Sequence, residues 1–255
     1  MGEVEGGLPG DVTDDGLLGG RVRLLQPARG HRAGTDAVLL AAAAPVRPGD
    51  LVVDLGAGTG AVGLMIAARL RAALVLVERD PDLAALCRAN AELNGAEARV
   101  AVADVLDATS RGAAGLAPES ADAVVTNPPF LAEGEARVSP DPARAAAHVL
   151  PEGGLQRWLE AAAGLLKPRG TLALIHRADR LRECLLGLSR GLGCHRLRFV
   201  HPAVDKPATR VLITAVKGSR APLAVAAPLV LHDASGRFTA EAEALHRGER
   251  ALDDP

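Results

Sequence analysis

From residue 51 the chain alternates short apolar runs with helix-like segments, and this rhythm limits the fold more than any other feature. "LVVDL" (51–55), "ALVLVE" (73–78), "ARVAVAD" (98–104), "ADAVVTN" (121–127), "TLALIH" (171–176), "RLRFVH" (196–201) and "RVLITAV" (210–216) read as strands. Helices are expected over 60–70, after Asp80, over 154–166 and over 178–190. Asp80 can cap the second of these, Pro81 suits its first turn and Gly95 its end. Such alternation predicts an α/β fold, a parallel sheet with helices on both faces. The third and fourth runs read as strands buried on both sides.

Before residue 51, "LLGGRVRLLQP" predicts a hairpin turning at Gly19-Gly20, and "TDAVLLAAAA" predicts a helix stopped by Pro45. Residues 1–12 read as a flexible, acidic, Gly-rich tail, 13–48 as a hairpin and helix packed on the main domain, and 49–255 as that domain. No apolar run reaches the roughly 18 residues of a membrane helix, and no basic and apolar leader opens the chain. Cys87, Cys184 and Cys194 form no C-x-x-C pair, and the seven His make no ligand-spaced cluster. A cytoplasmic protein without a metal, a disulfide or a membrane partner is the expectation, with Cys184 and Cys194 inert. The formal charge of −2 hides an uneven distribution: residues 167–220 carry twelve Lys/Arg against Asp179, Glu183 and Asp205. Such a basic segment is either a solvated surface or a footprint for an anionic partner.

In a parallel sheet, ligands bind beyond the carboxyl ends of the strands. Four runs end in polar chemistry: Asp54 with its glycines, Glu78, Asp104 and Asn127. "DLGAGTG" places Gly56, Gly58 and Gly60 where a tight turn lets a ligand approach bare backbone. Glu78 follows Gly58 by about twenty residues, the usual offset for an acid that binds a ribose. The acid before the glycines and the early third glycine depart from the dinucleotide fingerprint. After the fourth run, "NPPF" (127–130) fixes the backbone with two prolines and removes two amide donors. Asn127 and the neighbouring carbonyls then offer acceptors to a planar amino group, and Phe130, one of three Phe in a chain without Tyr, offers a face for stacking.

This set resembles the class I S-adenosylmethionine-dependent methyltransferases. The resemblance implies a single Rossmann-like domain with a mostly parallel seven-stranded sheet and S-adenosyl-L-methionine as cofactor. It also implies that the loop from Asp54 to Gly60, with Ala57, lies against the methionine portion. Glu78, with Arg79, would take the ribose, and Asp104, with Val105, the adenine. Asn127, Pro128, Pro129 and Phe130 are similar to the Asn-Pro-Pro-aromatic signature of amino-methyltransferases, which act on adenine or on the glutamine amide of release factors.

Further blocks, "DDGLLGGRVRLLQPARGHRAGTDAVLLAAA", "SPDPARAAAH" and "LHDASGRFTAEAEAL", resemble the bacterial tRNA-valine adenine-N6 methyltransferases, which modify the adenine beside the anticodon. That resemblance implies tRNA as partner and makes Gly34, Thr35 and Asp36 candidate cofactor contacts; a helix N-terminal charge is the plainer reading of Asp36. A long connection over 131–150 is expected to be functional. Arg137, Arg144 and His148 in it, and Arg177, Arg180, Arg182, Arg196, Arg198, Lys206 and Arg210 downstream, are candidates for the RNA backbone. The competing readings are a glutamine-N5 protein methyltransferase and an inactive RNA-binding Rossmann module.

Overall fold

The fold is taken from a computed structural model that describes residues 11–29, 32–132, 149–189 and 191–252. A hairpin comes first, β1 (Val12–Leu17) and β2 (Val22–Pro27), joined through Leu18, Gly19 and Gly20, all at positive φ. Then follow α1 (Thr35–Ala43), β3 (Leu51–Leu55), α2 (Ala61–Leu70), β4 (Ala73–Glu78), α3 (Pro81–Leu93), β5 (Ala98–Val102), α4 (Ala108–Ala113) and β6 (Ala121–Thr126). The two-residue strands β7 (Leu131–Ala132) and β8 (Val149–Leu150) pair in parallel. The rest comprises α5 (Gly154–Leu165), β9 (Leu166–Arg177), a 3-10 turn at Ala178–Arg180, α6 (Leu181–Leu188), β10 (Leu192–Ala203) and β11 (Arg210–Lys217). Two short strands, β12 (Ala224–Val225) and β13 (Leu229–His232), and α7 (Ala240–His246) close it.

The main sheet runs β12-β10-β11-β9-β6-β3-β4-β5, with β13 also on β10. The pairs from β9 to β5 are parallel, while β11 runs antiparallel to both β9 and β10. All seven expected runs are present. The sheet nonetheless has nine strands rather than seven, because β12 and β13 extend β10 in parallel. Successive strand residues feed two cores: Val52 faces the one built with α1 and α2, Val53 the one built with α5 and α6. The third run departs from expectation. β5 is the outer strand on its side and α4 buries none of its residues, so Val102 is 44% exposed. The expected helix over 178–190 is shorter and opens with the 3-10 turn.

The hairpin is held by side chains that take the place of a strand. Asn90 in the last turn of α3 and Asn94 at its C-cap, four residues apart, pair the outward backbone groups of β2. Asn94 binds the amide and carbonyl of Arg23, and Asn90 those of Leu25. Asn90 Nδ2 also donates to the Thr59 carbonyl at 2.9 Å, which ties the hairpin to the Gly-rich loop. Asn90 is fully buried, so Asn90→Ala strands three backbone groups and should cost about 2–3 kcal/mol in urea unfolding. A change below half of that would mean water replaces the amide.

Candidate active site

The sheet reverses its winding at β3, with β4 on one side and β6 on the other, and a ligand crevice is expected there. Gly56, Gly58 and Gly60 take φ of 74°, 57° and 88°, the left-handed region in which a side chain is strained. The amides of Gly56 and Ala57 both donate to the Val77 carbonyl at 2.9 Å, holding the loop against the end of β4. A Cβ on Gly58 would meet nothing within 4 Å, so the loop faces open space at that point.

The acids divide into supports and rim. Asp54 is 2% exposed and accepts from the Gly63 amide at 3.0 Å. Burial pushes its carboxyl up to about 7, against the pull of that amide, and the charge of Glu78 adds to the rise. It shapes the loop from beneath. Glu78 Oε2 accepts from the Gly58 amide at 2.8 Å, and its Oε1 from the amides of Arg79 and Asp80. Asp104 accepts from the Leu106 amide, faces the Arg79 guanidinium at 3.9 Å and is partly open to solvent. Val105 and Ala57 are buried.

β6 delivers the fourth motif. Thr126, fully buried, donates to the Leu55 carbonyl at 2.8 Å and accepts from the Trp158 indole N–H at 2.9 Å. This pins the ends of β3 and β6 together. The Asn127 carbonyl oxygen that follows is buried without a hydrogen-bond partner. An unpaired buried acceptor costs about 1–3 kcal/mol, so a native chain keeps one for a reason. An orphaned amide oxygen, carboxylates at successive strand ends and an open glycine loop suit a ligand that brings N–H and O–H donors and positive charge.

Phe130 is less open than the sequence suggests. The Arg210 guanidinium carbon lies 4.9 Å from its ring centroid, and His176 meets it in a T-shaped contact at 5.2 Å. His176 is the last residue but one of β9, is 2% exposed, and neither ring nitrogen has a hydrogen-bond partner. Burial pushes its pKa down to about 4. The Glu183 charge and the Arg177 backbone raise it in part, and the charges of Arg177 and Arg180 lower it by smaller amounts. As pH falls from the ordinary 6.5 toward 4, the unfolded chain takes up a proton that the folded chain refuses. Stability from this group is therefore whole above 6.5 and lost on acidification, by up to about 3 kcal/mol. Melting curves between pH 7 and 4.5 should fall less steeply for His176→Leu than for the wild type; parallel curves would remove His176 as the cause.

Of the other candidates, Gly34 caps α1, Thr35 contacts His246, and Asp36 pairs with Arg210 at 2.9 Å. Arg177 and Arg210 are register partners at the rim of the sheet, and Lys206 is exposed in the β10–β11 turn beside them. Arg196 and Arg198 stand mid-strand, opposite Thr214 and Leu212, and the Arg196 Nε is buried. The footprint expected there is thus displaced from the strand ends. Arg180 pairs with Glu183. Arg137, Arg144 and His148 lie outside the described residues. Cys184 is buried, its thiol pushed up to about 12 by burial. Among the described residues no three His, Cys, Asp or Glu gather into a metal site, and no helix is long and apolar enough to cross a membrane. Sequence reasoning passed over Trp158 and His176, although the one is the sole Trp and the other ends a strand run.

A match to the methyltransferase small domain family spans residues 32–187. A Porphyromonas gingivalis protein named tRNA1(Val) (adenine(37)-N6)-methyltransferase is 34% identical over 82% of this chain and 85% of its own. One of the same name from Aeromonas hydrophila is 32% identical, again over 82% and 85%. Among solved structures, a predicted O-methyltransferase from Agrobacterium tumefaciens superposes with a TM-score of 0.72 at 33% identity, covering 85% of this chain and 98% of the other.

Proposed function

The chain belongs to the methyltransferase small domain family and to the group of relatives named tRNA1(Val) (adenine(37)-N6)-methyltransferase, and from that premise we infer that it methylates N6 of an adenine in tRNA, adenine 37 of the anticodon loop. The observation that carries this reading is the buried, unpartnered carbonyl oxygen of Asn127 beside the Gly-rich loop.

S-adenosyl-L-methionine supplies the methyl group as an electrophile on a positively charged sulfur. The loop from Gly56 to Gly60 gives that ligand bare backbone to lie against, and Glu78 and Asp104 accept from its hydroxyl and amino groups. Asn127 and the carbonyl before Pro129 accept the two hydrogens of the target nitrogen. They favour a more tetrahedral nitrogen whose lone pair points at the methyl group, which is preorganised stabilisation of the transition state. The methylated nitrogen is acidic, and its proton passes to solvent without a strong base. The Agrobacterium relative's name points to an oxygen acceptor; two adjoining acceptors match an amino group, which has two hydrogens to give, better than a hydroxyl. An anticodon-loop base must leave its stack, at a cost of about a few kcal/mol, which stacking on Phe130 offsets. Arg177, Lys206 and Arg210 stand where phosphates would pass, and a cytoplasmic location goes with that substrate.

Purified protein incubated with labelled S-adenosylmethionine and unmodified total tRNA should yield labelled N6-methyladenosine on digestion. Label in the glutamine of a release factor instead would move the assignment to the protein substrate, and RNA binding without transfer would favour the inactive module.

A further inference from the structure

Asp36 and Arg210 are 174 residues apart in the chain, yet they form a half-buried ion pair whose guanidinium lies over Phe130. We propose that Asp36 is a positioning residue of the substrate arm: it fixes the Arg210 guanidinium on one face of Phe130, leaving the ring a single orientation and a single open face for the acceptor base. This rests on the reading of the site as one that stacks an RNA base.

Three observations support it. The guanidinium is held at two points, Nε on the Asp36 carboxylate at 2.9 Å and Nη1 on the Thr209 carbonyl at 3.1 Å, so its position over the ring is set by the Asp36 side chain on α1 and by the backbone just before β11. The first turn of α1 is itself gripped, because Thr35 Oγ1 contacts His246 Nε2 at 3.2 Å and the His246 Nδ1 bonds the Ala242 carbonyl. The other ring neighbour, His176, meets Phe130 in a T-shaped contact and is a buried imidazole kept neutral, so Arg210 is the cation that the ring faces. The Asp36 carboxylate, spent on Arg210, is poorly placed to serve a cofactor as well.

The test uses the full-length chain. Only three Phe occur, so 4-fluorophenylalanine gives three fluorine resonances, and the one lost in Phe130→Leu is that of Phe130. Asp36→Asn should move or broaden that resonance with no RNA present. With tRNA it should lower kcat/KM for RNA by about 10- to 100-fold, the scale of a small misplacement, while the Kd for S-adenosylmethionine stays within about twofold. Arg210→Lys, which keeps the charge but not the plane, should give an intermediate loss, and Asp36→Glu should recover part of it. An unmoved resonance overturns the proposal whatever the substrate. So does a tenfold weaker Kd for S-adenosylmethionine in Asp36→Asn with the resonance in place. If Asp36→Asn does not fold, Arg210→Lys carries the same two readouts. A wild type that moves no methyl to RNA would defeat the proposed function, and the substrate clause with it; the fluorine shift still reports whether Asp36 orders the ring.

Discussion

Asn127→Ala is expected to lower methyl transfer by about 10²–10³-fold, the loss that follows removal of one preorganised partner from a transition state. The folded chain should be as stable as before, or slightly more so. The carbonyl oxygen removed is buried and bonded to nothing, so it contributes desolvation cost without an offsetting hydrogen bond. Activity and stability should therefore move in opposite directions, the signature of a group kept for function. Affinity for S-adenosylmethionine should change little, because the loop amides and the carboxylates of Glu78 and Asp104 are untouched. Single-turnover rates, calorimetric binding and melting temperature on one preparation check all three. A near wild-type rate would remove Asn127 from the reaction; a large fall in melting temperature would show that its amide is structural.

The parts of the site legible in the sequence are those whose signals are local. Glu78, Asp104 and Asn127 lie at or just beyond the ends of apolar runs, and in a parallel sheet that position alone brings them to one edge. The glycines at 56, 58 and 60 mark a turn by their own backbone requirement. The same rule reaches His176, which ends the fifth run, but no local pattern says that its imidazole is buried without partners. The Asp36–Arg210 pair had no sequence signal at all. It depends on β11 doubling back beside β9, which sets Arg210 against Arg177 and over the NPPF ring. Strands β12 and β13, of two and four residues, are too short for periodicity to show, and they form because β10 has an open edge to pair. The exposure of Val102 likewise depends on what α4 fails to cover, a tertiary fact.

Trp158→Ala is expected to destabilise the chain by about 3–5 kcal/mol. The ring is 7% exposed, on the buried stripe of α5 with Leu155, Leu159 and Ala162. It also lies under the catalytic edge: a Cβ on Gly56 would come within 3.1 Å of it, and its N–H holds Thr126, which in turn holds Leu55. Removing it takes the floor from the Gly-rich loop and a brace from the strand that presents Asn127. Cofactor affinity and turnover should fall together, unlike the split expected for Asn127→Ala. Trp158→Phe should be milder: it loses the bond to Thr126, worth about 1 kcal/mol, and the outer ring atoms under Gly56, and keeps the rest of the apolar contact. Urea unfolding followed by circular dichroism measures both variants without relying on the indole. Should Trp158→Phe prove as harmful as Trp158→Ala, the bond from α5 to Thr126 and the ring atoms under Gly56, rather than the bulk of the packing, would be what holds the two halves of the site together.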